Sequence, residues 1–371
     1  MNSSASRGAI SAAEFVTAIS ERLTSADLDG LVRLAPRMCE EQLAYTLGGL
    51  GVIVASAVKH ERAESGDRQS MKALHAFPRI ERTLLALAQV SGRVPRDDHD
   101  TTWGKGEVPQ PWSFTGSDGE RRFGDAVRRS EQDLGRAESF IDPLRSGTTS
   151  LEDSVEALNE AARWVDTYVS VQADLAARPF PGPFLAMREY LQPQIIAGIT
   201  YPPPNATNAL RWTSLDHGIG LLEAYFADIA AKRALLMPPL DRKEMKRSLA
   251  LPTVCDRVAD AIGAEPGHLA ALSSAELQSR VHACRARVRK GIMAAAGLAK
   301  QIARLSSVHY AVIVKNLVDP TATLTAEERK AQPVNPEAGV SGRGLEHTRD
   351  LRDRRKRHPL VNLRIDKEDG K

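Results

Sequence analysis

Two histidines carry the chemistry this chain could perform. His309 lies in AKQIARLSSVHYAVIVKNL, residues 299–317, where Ile302, Leu305, His309, Ile313 and Asn316 recur at steps of three and four. That spacing puts them on one face of an amphipathic helix. An imidazole in such a stripe, flanked by Val308, Val312 and Val314, has two ring nitrogens to satisfy in a dry place. It is either a core histidine bonded to a backbone carbonyl, the plainer reading, or a ring whose Nε2 enters a cavity and ligates a heme iron. His99 lies in SGRVPRDDHDTTWGKGEVPQPWSFTGSDGE, residues 91–120, which has neither helical nor strand period. Long irregular stretches inside a domain tend to be functional or disordered, and Trp103 and Trp112 argue against disorder. The expectation is a loop over a pocket, with His99 as its proton-exchanging group; the alternative is an exposed loop histidine. Arg188 has the planar fork for pairing with a carboxylate or propionate, against an ordinary surface arginine. The glycine-serine run NPEAGVSGRG, residues 335–344, allows close backbone approach to an anion.

Strand signals are nearly absent, so the elements that must position these residues are helices and the class is all-α. Helices are expected from about Ala12 to Leu23, from Leu43 to Glu64 and from Arg79 to Val90. Ser117 with Glu120 forms a capping-box pattern that opens a helix to about Phe140. Ser150 opens a longer one to about Leu175. The proline-rich stretch that follows excludes a continuous helix, leaving a turn at FLAMREYL and an extended piece at IIAGITY. A helix from Leu215 to Leu236 would carry Asp216 in its first turn, where a carboxylate complements the helix dipole. Thr253 to Ile262 and a segment from Ser273 toward Gly291 are helical, with a bend before the helix of His309. Gly48, Gly49 and Gly51 within the second helix point to close packing or, less simply, to a flat ligand pressed on the backbone. The expected organisation is a flexible N-terminus over 1–11, one helical domain over 12–345 and a basic tail over 346–371, read as a solvated helix or frayed end.

Composition narrows the function classes. The chain has 371 residues, 42% hydrophobic and 26% charged, with net charge +3, as in soluble globular proteins. So small a charge does not imply wholesale nucleic-acid binding, and no aromatics interleave the basic RDLRDRRKRH run. The most apolar stretch, GGLGVIVASAV, is short and followed by Lys59 and His60, so no membrane partner is expected. No secretory signal is read at the N-terminus. Cys39, Cys255 and Cys284 are odd in number and far apart, which fits a reducing cytoplasm. A C-x-x-C-H motif for covalent heme is absent.

Four blocks resemble the bacterial heme-dependent aromatic oxygenases, relatives of tryptophan 2,3-dioxygenase and indoleamine 2,3-dioxygenase. His99-Asp-Thr-Thr-Trp103, preceded by Pro95 and Arg96, is similar to the group's H-x-T-x-W. Phe114-Thr-Gly116 with Glu120 resembles its Y-T-G entry into a helix, with Phe in place of Tyr. Phe184 to Tyr201, including Arg188, Pro193 and Gly198, resembles its F, R, P, G and Y series. His309 stands where the group has its proximal histidine, and Gly339 to Gly344 is a looser counterpart of its glycine loop. The segment between Arg96 and His99 is shorter than in the group, and Ile313 stands where one member has a thioether-forming cysteine. The resemblance implies a large helical bundle of the tryptophan/indoleamine 2,3-dioxygenase type enclosing noncovalent heme b. It also implies O2 or H2O2 as oxidant, and hydroxylation of tyrosine or 3-methyltyrosine in natural-product biosynthesis, with tryptophan or methyltryptophan as the near alternative. It makes His309 the axial ligand and His99 the acid–base group. Trp103, Phe114, Arg188, Tyr201, Ser341, Gly342 and Gly344 then line the pocket, and a homo-oligomer would follow the group's habit. The rival expectations are a heme-binding sensor without turnover and a helical interaction protein without a cofactor.

Overall fold

The computed structural model describes residues 27–65, 78–97, 113–201, 210–222, 239–322, 325 and 345–364. The expected helix over 12–23 and residues 202–209 lie outside these residues, as do His99, Trp103, Ser341, Gly342 and Gly344.

The fold is all-α. Helices α1 (Leu28–Leu34), α2 (Glu40–Ser65) and α3 (Pro78–Ser91) come first, then the long α4 (Asp118–Arg145) and α5 (Val155–Ala177) and the short α6 (Pro181–Arg188). A two-stranded antiparallel hairpin follows, β1 (Gln194–Ile196) with β2 (Ile199–Tyr201), pairing Gln194 with Tyr201. Next are α7 (Leu210–Ile219), α8 (Pro239–Leu249), α9 (Val254–Ala261), α10 (Ser274–Ala283) and α11 (Ala286–Ile313). A π turn over Val314–Val318 leads into α12 (Asp319–Ala322), and α13 (Leu345–Arg357) and α14 (Pro359–Asn362) close the described chain.

The centre is α11 against α5, with α4 on the other side of α5 and α7 against α4. The stripe expected around His309 supplies much of this contact: Ile302, Leu305, Ile313 and Asn316 are all buried. Leu134, Ile141, Leu158 and Val165 answer from α4 and α5. A separate cluster joins α1, α2, α3 and the hairpin through residues such as Leu47, Leu84 and Ile196. Gly51 in α2 serves close packing: a Cβ there would sit 2.3 Å from the backbone nitrogen of Asp97. This helix also corrects the expectation of no bilayer-length segment. Over Glu40–His60 it is long and apolar enough to cross a membrane, with mean hydropathy 1.3, but 67% of that stretch is buried inside the fold, as a core helix would be.

Capping chemistry fixes several boundaries. Ser117 accepts from the Glu120 amide at 3.2 Å and starts α4. The Glu120 carboxylate does not return to Ser117; it accepts instead from the Phe114 and Thr115 amides, both at 2.7 Å. Thr253 and Ser273 form full capping boxes with Asp256 and Glu276.

Four expectations are corrected. The part of the expected 215–236 helix that is described starts earlier, at Leu210, and breaks after Ile219, because Gly220 turns at φ 87°, and a Cβ there would lie 2.5 Å from Thr253 Oγ1; residues 223–236 lie outside the described ones. The break before α11 falls at Cys284–Arg285, where both residues are extended, and Gly291 lies inside the unbroken helix. There it admits the Leu151 carbonyl, which a Cβ would meet at 2.4 Å. Asp216 stands past the middle of α7 rather than in its first turn. Finally, the segment expected as a solvated basic tail is docked: α13 and α14 pack on α11, Leu360 and Leu363 are buried, and Lys300 Nζ donates to the Leu363 carbonyl at 2.9 Å.

Arg355 explains both of the last corrections. Its guanidinium grips the Asp216 carboxylate with two bonds, one from Nε to Oδ1 at 3.1 Å and one from Nη2 to Oδ2, and both side chains are buried. A buried pair with one partner removed leaves an uncompensated charge, at a cost of about 3–5 kcal/mol. Asp216→Ala is therefore expected to lower unfolding free energy by that order in urea titrations. The double variant Asp216→Leu/Arg355→Met is expected to lose less than the two single variants summed; additive losses would show that the pair is not coupled.

Candidate active site around His309

The ring of His309 faces a narrow cleft to which α4, α5, α6, α7 and α11 all contribute. Phe123, Val127, Phe184, Val312 and Ile313 make its walls apolar. Phe123 and Phe184 meet edge to face at 5.6 Å. Trp212 meets the His309 ring edge-on at 5.1 Å and Tyr168 at 5.6 Å, so the imidazole is packed between an indole and the aliphatic turn that follows it.

The polar side of the cleft comes from α5. His309 Nδ1 lies 3.4 Å from Gln172 Oε1, a long contact. Gln172 Nε2 donates to the Tyr168 hydroxyl at 2.7 Å, which turns Oε1 toward the histidine. An acceptor at that position places the ring proton on Nδ1 and leaves the lone pair on Nε2. Nε2 makes no hydrogen bond among the described residues. Burial, with a smaller repulsion from Arg355, holds the His309 pKa at about 4, so the ring is neutral at physiological pH.

The backbone departs from α geometry one turn after His309. Over Val314–Val318 the helix widens to a π turn, where the sequence reads as one continuous helix. Asn316 spans the change: Nδ2 donates to the Val312 carbonyl at 2.9 Å and Oδ1 accepts from the Phe180 amide at 2.6 Å. The side chain thus supplies a partner where the ladder shifts register, and ties α11 to the start of α6. π turns of this kind recur at functional sites.

The chemistry of this donor set fits a heme axial ligand. The imidazole is neutral, its Nε2 lone pair is unengaged, and a second residue orients it through Nδ1. Among the described residues no three His, Cys, Asp or Glu side chains converge to hold a metal ion. A single histidine suits a metal that brings its own equatorial ligands, not a bare ion. Space between the described walls is tight, a cavity of about 20 Å³, close to what one water occupies. A macrocycle on Nε2 requires these walls to part.

The other expected site residues divide. Arg188, at the end of α6, is buried rather than at the surface, and burial lowers its pKa to about 10, still a cation at neutral pH. Phe114 is buried and stacks on Tyr190 at 5.0 Å, in the same apolar cluster as Val312 and Ile313. Tyr201 is half-buried and packs with the cluster of α1–α3 instead. Arg96 connects these parts: it is fully buried, donates to the carbonyls of Gln192 at 3.1 Å and Tyr201 at 3.3 Å, and pairs with Asp97 at 3.1 Å. It therefore pins the root of the segment that carries His99 to the hairpin. Gln172, Tyr168 and Trp212 complete the site without belonging to any of the sequence motifs. The available signal was Tyr168 and Gln172 four apart on the apolar face of α5, a polar pair where aliphatics are expected.

An unfolded histidine titrates near 6.5 and His309 at about 4, so the unfolded chain binds the proton first. The stabilisation from keeping this ring neutral is complete above pH 6.5 and is lost as pH falls toward 4. The His309 Cε1–H resonance is expected to titrate well below pH 6. The urea midpoint of the native chain should fall more between pH 7 and 4.5 than that of His309→Phe; equal falls would contradict the assignment.

The chain matches no protein-family model, and no match is found among curated proteins.

Proposed function

We propose that this chain is a heme-dependent oxygenase acting on an aromatic amino acid, with His309 as the axial ligand. The observation that carries the reading is the state of that ring: neutral, oriented by Gln172, with Nε2 unbonded in an aromatic and aliphatic cleft. The all-α architecture and the burial of Arg188 support it. The sequence resemblance supplies the substrate class, with tyrosine or 3-methyltyrosine ahead of tryptophan.

Bound heme would supply the iron at which O2 or hydrogen peroxide is activated. The chain's own residues then have separable tasks. Gln172 holds the His309 tautomer through Nδ1, so that Nε2 is the donor atom. The apolar residues around the ring, once parted to admit a macrocycle, would keep water from an oxidising centre and so limit unproductive discharge of the oxidant. Arg188 offers a buried cation for a propionate or for the carboxylate of an amino acid. His99 exchanges a proton with the phenol or indole of the substrate, a task suited to a pKa near neutrality.

Protein purified from cells with adequate heme supply is expected to show a Soret band that shifts on titration with tyrosine, 3-methyltyrosine or tryptophan. His309→Ala should lose that band, and free imidazole should restore part of it. Colourless protein, or a full heme complement with an unchanged band in His309→Ala, would refute the axial assignment. His99→Ala should keep heme and lose turnover by about 100-fold or more; undiminished turnover would remove its acid–base task.

A further inference from the structure

A second cavity lies between the end of α7, the turn around Gly267 and the C-terminal end of α13. Its volume is about 380 Å³, within the range of roughly 300–1,000 Å³ typical of small-molecule sites. Leu221, Leu222 and Leu269 give it a buried apolar floor.

Its polar groups come from the end of α13 and the N-cap of α14. Arg354, Arg357 and His358 stand at i, i+3 and i+4 and all line the cavity. Arg354 holds Asp350 through Nε at 2.8 Å, and Arg357 makes no ion pair or hydrogen bond among the described residues. His358 is 5% exposed, so its ring is inside the fold rather than on it. Its Nδ1 accepts from the Leu360 amide at 3.2 Å, which puts the ring proton on Nε2. That N–H has no acceptor among the described residues.

The unmatched donors call for an acceptor with negative charge, and the floor calls for an apolar body. We propose that this cavity binds a small organic carboxylate, with its charged end on Arg354, Arg357 and His358 Nε2 and its hydrocarbon or aryl part over Leu221, Leu222 and Leu269. A monoanion suits the place better than a phosphate dianion. The carbonyl end of α13 points here, and its dipole opposes negative charge, so the two guanidiniums are partly offset. The site shares no lining residue with the His309 cleft and does not rest on the heme reading.

Octanoate is the probe, tested on the full chain by calorimetric titration and thermal shift beside octanol and inorganic phosphate. Octanoate is expected to bind, to raise Tm with concentration and to shift the His358 ring resonances. Octanol and phosphate should each bind about tenfold more weakly or worse. Arg354→Gln/Arg357→Gln, at solvent-facing positions that should not disturb folding, should weaken octanoate by about tenfold or more. His309→Ala should leave its affinity within about twofold. Octanol or phosphate binding as tightly as octanoate would overturn the proposal, as would an unchanged affinity in the arginine double variant. So would a loss in His309→Ala, which would place the fatty acid in the other cleft.

Discussion

Holding one partly buried imidazole neutral at the crossing of the central helices is the constraint around which this fold is arranged. His309 sits where α11 crosses α5, and the helices that shield it also form the main core. Desolvation alone would leave a polar ring with two unsatisfied nitrogens, a costly state. Gln172 relieves one side, and is itself braced by Tyr168. The other side is left open toward apolar walls. On the cleft side Nε2 has no hydrogen-bond partner among the described residues.

The C-terminal helices belong to the same arrangement. Arg355 reaches from α13 to Asp216 on α7, and its charge is near enough to His309 to help hold the ring neutral. α13 therefore clamps α7 and α11 together and places a cation behind the imidazole. Arg354 and Arg357 of α13, with His358 just beyond its end, line a separate cavity. One short basic helix thus serves the core with one residue and a surface pocket with its neighbours, which follows from side chains three or four apart sharing a face.

Arg96 fixes the chain just before residues 98–112. Its guanidinium is spent on the Gln192 and Tyr201 carbonyls and on Asp97, and the Asp97 backbone presses on Gly51 of α2. These contacts join α2, the hairpin and the start of the His99 segment. Removing the glycine's space or the arginine's fork would move that root, whatever the segment beyond it does.

Much of the architecture was legible in the sequence. Apolar spacing marked α3, α4, α5 and α11, and the Ser117 and Ser273 patterns announced two helix starts, because these are local signals that each helix carries within itself. The His309 stripe and the burial-ready glycine at position 51 belong to the same class. What the sequence could not determine were relations between distant segments. The charged run RDLRDRRKRH looks solvated until Asp216, 139 residues away from Arg355, neutralises one of its arginines. Gln172 looks like a stray polar residue until α11 brings a ring nitrogen to it. The π turn at Val314 leaves no mark in the periodicity, since it is fixed by Asn316 reaching the Phe180 amide. In each case the deciding partner lies far along the chain, and only packing brings the two within hydrogen-bond range.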